Sequence, residues 1–171
     1  MVTHYAVRSF RTTFLALFVI GSLTTACKKS GSASDVDPRD QYVGTYAGTS
    51  RRTLYVSADI FQGPIPGVST TTVTKASNAH ELYIENTVVY NNGFTGGYTE
   101  RVTATLTGVN FTVIDKASDQ IELPSGKVDS DYTATGVFDA STKQLVYSAT
   151  ARALRNGAQY SRTDEITSAK K

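Results

Sequence analysis

Residues 145–166 read LVYSATARALRNGAQYSRTDEI and decide the fold class. Small or apolar side chains occupy every second position from Leu145 to Ala153, and the alternation resumes after Asn156-Gly157. A period of two is typical of a β-strand with one buried face. Asn-Gly favours a type I′ hairpin turn, because both central residues of that turn need positive φ. The stretch therefore predicts two antiparallel strands joined by a tight turn.

The same alternation recurs in other parts of the chain. In residues 98–107 (YTERVTATLT) the even positions hold Tyr, Glu, Val, Ala and Leu, and the odd positions hold threonines and Arg101. Residues 127–139 continue the pattern as one long strand. Less regular strands are expected at 41–49, 53–57, 68–75, 81–85 and 87–90. The chain after residue 40 shows no sustained helical period.

Consecutive antiparallel strands expose two edges unless the sheet closes on itself. The chain has 171 residues, so residues 41–171 suffice for one domain with its own core. We therefore predict an all-β domain, an antiparallel meander barrel of about 8–10 strands. A two-sheet β-sandwich is the alternative.

The N-terminus has the parts of an export signal. Residues 1–11 carry basic side chains and no acid, residues 14–20 read FLALFVI, and small residues precede Cys27. The apolar run is too short to span a bilayer, which takes about 20 residues. The segment around Cys27, the single cysteine, resembles a lipobox, with Thr24 where leucine is usual. The resemblance implies a signal peptide over 1–26 and a fatty acid such as palmitate on Cys27. A plain signal peptide and an uncleaved anchor are the alternatives.

Residues 28–40 (KKSGSASDVDPRD) are polar and lack apolar periodicity. With Cys27 they predict a flexible tether over 27–40. The whole chain carries a formal charge of +2 from 17 basic and 15 acidic residues, and two of the basic ones, Arg8 and Arg11, lie in the signal. The remainder is balanced, so no basic stripe predicts nucleic-acid binding.

The opening of the domain, Tyr42-Val43-Gly44-Thr45-Tyr46, resembles the Gly-X-Trp strand of lipocalin-like domains, with tyrosine in place of tryptophan. In that family a basic residue near the last strand lies across the opening ring, and Arg162 occupies a comparable place. The chain is also similar to small lipocalin-like lipoproteins of Gram-negative bacteria. The resemblance implies a barrel with an internal pocket, lipid-anchored in the cell envelope. The expected site is the outer membrane, facing the periplasm or the cell surface.

Tyrosines fall on the faces predicted to point inward, opposite alanine and glycine. The ligand-binding candidates are Tyr46, Tyr98, Tyr132, Tyr147 and Tyr160, together with Arg162. Such rings either fill a narrow barrel or line a cavity for a small apolar or amphipathic molecule. If they fill it, the protein is expected to dock on another envelope protein, which the sequence does not identify, or on a glycan.

Two acids, Glu100 and Asp164, fall on the same inward faces. Buried charges are normally paired, and Arg162 is the expected partner of both. Pairing of this kind is more typical of structure than of catalysis. Asp129 and Asp131 lie on a polar face, so we expect them in water.

The sequence gives little sign of catalytic or cofactor chemistry. It has no Gly-X-Ser-X-Gly elbow, phosphate loop or dinucleotide fingerprint. His80 is the single histidine after the signal and lies between two predicted strands. One histidine and one lipidated cysteine do not make a zinc site. We therefore expect neither enzyme, cofactor nor metal.

Residues 59–67 read DIFQGPIPG, with two prolines between glycines. Proline cannot donate to a strand ladder, so the segment predicts a loop without strand pairing. Its apolar side chains Ile60, Phe61 and Ile65 are candidates for a lid over the barrel mouth. Packing against the flank of the barrel is the alternative.

Overall fold

The computed structural model describes residues 36–56, 60–91, 93, 95–116, 119–123 and 126–171, without the side chains of residues 56 and 60–62. The predicted signal peptide, Cys27 and most of the tether lie outside these residues. Among the described residues, no helix is long and apolar enough to cross a membrane.

The described chain forms ten strands, all within the compact unit Pro38–Lys171. They are β1 Gly44–Val56, β2 Ile60–Lys75, β3 Glu81–Tyr90, β4 Gly97–Thr107, β5 Asn110–Asp115, β6 Gln120–Leu123, β7 Gly126–Asp129, β8 Asp131–Asp139, β9 Gln144–Arg155 and β10 Ala158–Lys170. The predicted all-β fold is confirmed.

Eight of these strands close into an antiparallel barrel in the order β1-β2-β3-β4-β5-β8-β9-β10. The last strand, β10, pairs with β1 from Val56↔Tyr160 to Tyr46↔Lys170. Strands β6 and β7 form a separate two-stranded sheet between β5 and β8. The meander barrel is therefore confirmed, and the sandwich alternative is wrong.

The predicted Asn-Gly turn joins β9 to β10. Asn156 and Gly157 have φ values of 52° and 79°, and Arg155 pairs with Ala158 across the turn. Leu145 and Tyr147 are fully buried on the inward face of β9, as the alternation indicated.

In two places, a pair of strands that was predicted as separate forms one continuous strand. The strands predicted at 41–49 and 53–57 overlap one continuous strand, β1 (Gly44–Val56), and residues 81–90 form all of β3. In β1 the inward positions after Tyr46 are Gly48, Ser50 and Arg52. Because these residues are small or charged, the alternation of apolar and polar residues is lost in this part of β1, although the strand continues.

The prediction that residues 59–67 contain no paired strand is wrong. Strand β2 begins at Ile60, and its first residues pair with β1, for example Arg52↔Ile65. Ile60 and Phe61, two of the lid candidates, are paired through their backbones, and their side chains lie outside the described residues.

Both prolines of this segment are placed where a missing N–H is tolerated. Gly63 and Pro64 of β2 together lie opposite a single residue of β1, Thr53. This two-to-one pairing is a β-bulge. The Pro66 carbonyl accepts a hydrogen bond from the Asn91 amide. The Pro66 nitrogen points to the same side as its carbonyl, where β3 has already ended. A barrel strand that is paired on both sides can therefore begin with this proline-containing segment.

Residues 127–139, predicted as one strand, are divided at Ser130. Gly126–Asp129 pairs with β6, whereas Asp131–Asp139 pairs with β9 in the barrel. The alternation runs through the break without a change of phase, so periodicity alone does not reveal it.

One end of the barrel, at which β1 starts and β10 ends, is sealed; we call it the closed end. Tyr42 stacks on Phe138 with ring centroids 4.6 Å apart, and its hydroxyl donates to the Gly108 carbonyl. Arg39 is buried and donates to the Ala76 carbonyl. The folded unit therefore includes residues before the predicted start at 41.

The closed-end half of the barrel is filled by large side chains. Phe111 packs against Phe138 and Tyr147, with centroids 5.1 and 6.0 Å away. Gly136 lies beneath the Phe111 ring, where a Cβ would overlap the ring. Here the combination of aromatic and small residues produces interdigitated filling.

Candidate ligand-binding site

The opposite end of the barrel carries the β6–β7 sheet, and we call it the hairpin end. In this half, ionisable side chains replace apolar ones on the inward faces. Six of them form the charged cluster: Arg52, Glu100, Lys116, Asp119, Arg162 and Asp164.

The first part of the charged cluster is centred on Asp164, which is 2% exposed. Arg52 Nε donates to Asp164 Oδ1 at 2.5 Å, and Arg162 Nε donates to Oδ2 at 2.9 Å. The expected pair of Arg162 and Asp164 therefore forms. Arg52 is an additional partner that the sequence analysis missed, because residues 41–49 and 53–57 were assigned to separate strands.

The second part of the charged cluster is centred on Lys116 and Asp119. Lys116 Nζ lies 2.6 Å from Asp119 Oδ1 and 3.1 Å from Glu100 Oε2. Arg162 Nη2 donates to Asp119 Oδ1 at 2.9 Å and joins the two parts. Glu100 is thus paired with Lys116, and the expectation that Arg162 neutralises it is wrong. Lys116 follows β5 outside any alternating pattern, so periodicity did not indicate its position.

The surroundings favour the charged forms of two members of the charged cluster, Asp119 and Arg162. Burial disfavours the charge on Asp119, but hydrogen bonds from Lys116, Ser130 and Arg162 outweigh it and lower the pKa of Asp119 below its ordinary value. Burial likewise opposes the charge on Arg162, but Asp164 and Asp119 raise the pKa of its guanidinium. By formal charge the cluster has three cations, Arg52, Lys116 and Arg162, and three anions, Glu100, Asp119 and Asp164.

A cavity of about 800 Å³ lies at the hairpin end, beside the charged cluster. Its apolar walls come from Leu54, Ile65 and Ile121, and its aromatic walls from Tyr90 and Tyr98. The volume falls within the range of small-molecule sites. Ile65, the lid candidate whose side chain the structure describes, lines this cavity.

Arg52 holds the aromatic wall in place. Its guanidinium carbon lies 4.0 Å from the centroid of the Tyr98 ring, and Nη1 donates to the Tyr90 hydroxyl at 2.6 Å. Burial raises the pKa of Tyr90 and of Tyr98, so both hydroxyls keep their protons. The Tyr90 oxygen accepts from Arg52, and its own proton remains for another acceptor.

The β6–β7 sheet covers the mouth of the barrel at this end. Ile121 is fully buried, Leu123 is 9% exposed, and both pack with Ala151 of β9. Asp119, just before β6, accepts from the backbone and the side chain of Ser130, just after β7. The β6–β7 sheet therefore packs against the barrel at the hairpin end.

The other candidate tyrosines lie apart from the cavity. Tyr46 is in the closed end, and the cation over its ring is Lys170, with Nζ 6.0 Å from the centroid. The expectation that Arg162 covers Tyr46 is wrong, because Arg162 pairs with Leu54, eight residues along β1. Tyr132 and Tyr147 hydrogen-bond to each other through their hydroxyls.

Tyr160 borders a second depression of about 800 Å³, lined mostly by outward-facing residues such as Tyr55, Arg152 and Leu154. Of the remaining candidates, His80, Asp129 and Asp131 are exposed. In the described part of the chain, no group of three or more His, Cys, Asp or Glu side chains is placed to hold a metal ion.

No protein-family model matches the chain, and its sequence matches no curated protein. The functional proposal therefore rests on the sequence motifs and on the geometry of the barrel.

Proposed function

We propose that the protein is a lipid-anchored envelope protein whose barrel binds a small amphipathic molecule in the cavity at the hairpin end. The observation that carries this proposal is the cavity of about 800 Å³, which has both apolar and polar walls and lies at the hairpin end of a barrel that is filled at its other end. Binding sites commonly combine such walls with a few placed polar groups.

The charged cluster supports a role beyond stability. Buried ion pairs lose hydration, and replacing them by well-packed apolar residues is often neutral or stabilising. The closed-end half shows that this chain packs an apolar core where only packing is needed. Charges retained beside a cavity are therefore better explained by ligand binding than by a filled core that serves docking.

The walls suggest how the molecule is oriented. Its apolar part packs against Leu54, Ile65 and Ile121, and its polar group accepts a hydrogen bond from the Tyr90 hydroxyl. Arg52 of the charged cluster fixes the aromatic wall, and the cluster forms part of the polar wall of the cavity.

The anchor belongs to the same proposal. A lipid on Cys27 followed by a polar tether would hold the barrel beside the outer membrane, facing the periplasm or the cell surface. The basic start, the short apolar run and the small residues before Cys27 support this location.

The uncharged apolar fluorophore N-phenyl-1-naphthylamine tests the site in titrations of residues 28–171. We expect saturable binding that Ile65→Trp abolishes, because the larger ring takes up space in the cavity that the probe needs. The matched control is Leu154→Trp, since Leu154 is 69% exposed in the outer depression. Binding that survives Ile65→Trp but is lost in Leu154→Trp would assign the site to the outer depression and refute the proposal.

A further inference from the structure

The positive and negative charges of the charged cluster balance one another within the protein. Each of its three carboxylates has its partners within the protein: Asp164 accepts from two arginines, Asp119 from Lys116, Arg162 and Ser130, and Glu100 from Lys116, Asn86 and Tyr132. With three cations and three anions, the cluster has no net charge.

The other ionisable groups at the cavity contribute little. Lys127 and Glu122 pair with each other at 2.9 Å, with side chains 61% and 75% exposed, so water and salt screen them. Arg101 lies over the Tyr83 ring, 4.7 Å from its centroid, and is exposed, so water and salt screen its charge as well. The electrostatics that a bound molecule meets are therefore set by the neutral cluster.

A charged ligand would disturb this balance. An anion beside Arg52, Lys116 or Arg162 competes with a carboxylate for a cation whose charge that carboxylate already balances. Displacing that carboxylate leaves it buried without a partner, which is strongly unfavourable. A cation competes with the internal donors in the same way. An uncharged polar group requires no such exchange, and it can accept from the Tyr90 hydroxyl.

We propose that the cavity selects an uncharged amphipathic ligand, one whose polar end is a hydrogen-bond acceptor such as an ester or amide carbonyl. This inference rests on the proposed function, because it assigns a ligand class to the same cavity.

The test compares three amphiphiles with the same decyl chain as competitors of N-phenyl-1-naphthylamine, all below their micelle concentrations. Decyl acetate is uncharged, decyl sulfate is an anion and decyltrimethylammonium is a cation. We expect the ester to bind to residues 28–171 at least about tenfold more tightly than either ion. Equal or tighter binding of an ion overturns the inference and leaves the proposed function standing. If none of the three displaces the probe, both proposals fail.

Two substitutions that unbalance the cluster give an independent test. Glu100→Gln leaves one excess positive charge, and we expect the anion-to-cation affinity ratio to rise by about five- to tenfold. Lys116→Gln leaves one excess negative charge and should lower the ratio by a similar factor. Glu165→Gln, the same chemical change on the exposed face of β10, is the matched control and should leave the ratio unchanged. Unchanged ratios in all three folded variants would contradict the inference.

Discussion

Arg162 is a single side chain that joins two parts of the molecule. Its guanidinium donates to Asp164 on its own strand, to Asp119, and to the carbonyl of Gln120 in β6. The alternation of β10 was sufficient to predict that Arg162 and Asp164 point inward. Asp119 and Lys116 were not predictable in this way, because they lie in a connection that tertiary contacts alone position.

We expect Arg162→Ala to lower the free energy of unfolding by about 1–4 kcal/mol, because Asp164 and Asp119 lose a buried partner. Urea unfolding of residues 28–171 measures this. Arg152→Ala, which removes an exposed arginine from β9, is the control and should change stability little. An unchanged urea midpoint in Arg162→Ala would show that the ion pairs of the cluster are not stabilising.

The lowered pKa of Asp119 predicts how its contribution depends on pH. Because the folded-state pKa lies below the unfolded value of about 4, the stabilisation is fully present above that value and is lost as the pH falls through the folded pKa. We therefore expect the stability difference between wild type and Asp119→Asn to be constant from about pH 8 to about pH 5 and to shrink below about pH 4. A difference that already declines between pH 7 and pH 5 would be inconsistent with this ion pairing.

The β6–β7 sheet is the element that the sequence analysis missed. Its strands have four residues each, and the alternation of β7 continues into β8 through Ser130. The neighbouring turn at Asn156-Gly157 was recognised because its residue types demand a particular backbone conformation, whereas no comparable pair marks the break at Ser130. The sequence carries one indication of β6, which is the apolar residue at every second position, Ile121 and Leu123.

The buried Ile121 anchors this sheet to the barrel, so we expect Ile121→Ala to loosen the sheet locally. Hydrogen exchange should accelerate in residues 120–129 while the amides of β9 and β10 stay protected. The contrasting variant is Leu145→Ala in the barrel core, which should lower global stability by about 2–5 kcal/mol. Equal acceleration of exchange throughout the barrel in Ile121→Ala would show that the sheet is not a separate cover.

The whole molecule combines a filled barrel half with a charged, cavity-bearing half. The barrel itself was predictable, since period-two alternation and closure of the sheet edges follow from local sequence and hydrogen-bonding demands. The division into a filled half and a charged half was not predictable from the sequence. It depends on which inward residues lie at the same height along the barrel axis after the strands pair.

The proposed anchor, Cys27, precedes the compact unit Pro38–Lys171 in the sequence. We expect Cys27→Ser to abolish incorporation of labelled palmitate in a bacterial host, because Cys27 is the single cysteine. The circular dichroism of the barrel should not change. Retention of the label in the variant would refute acylation at this position.

The most direct test of the central claim is native mass spectrometry of residues 28–171 secreted into a bacterial periplasm. We expect the wild-type protein to carry a discrete uncharged amphipathic adduct that solvent extraction removes, and we expect Ile65→Trp to carry none. A wild-type mass equal to that of the chain alone, or an adduct that persists in Ile65→Trp, would contradict the proposal that the cavity at the hairpin end is a ligand-binding site.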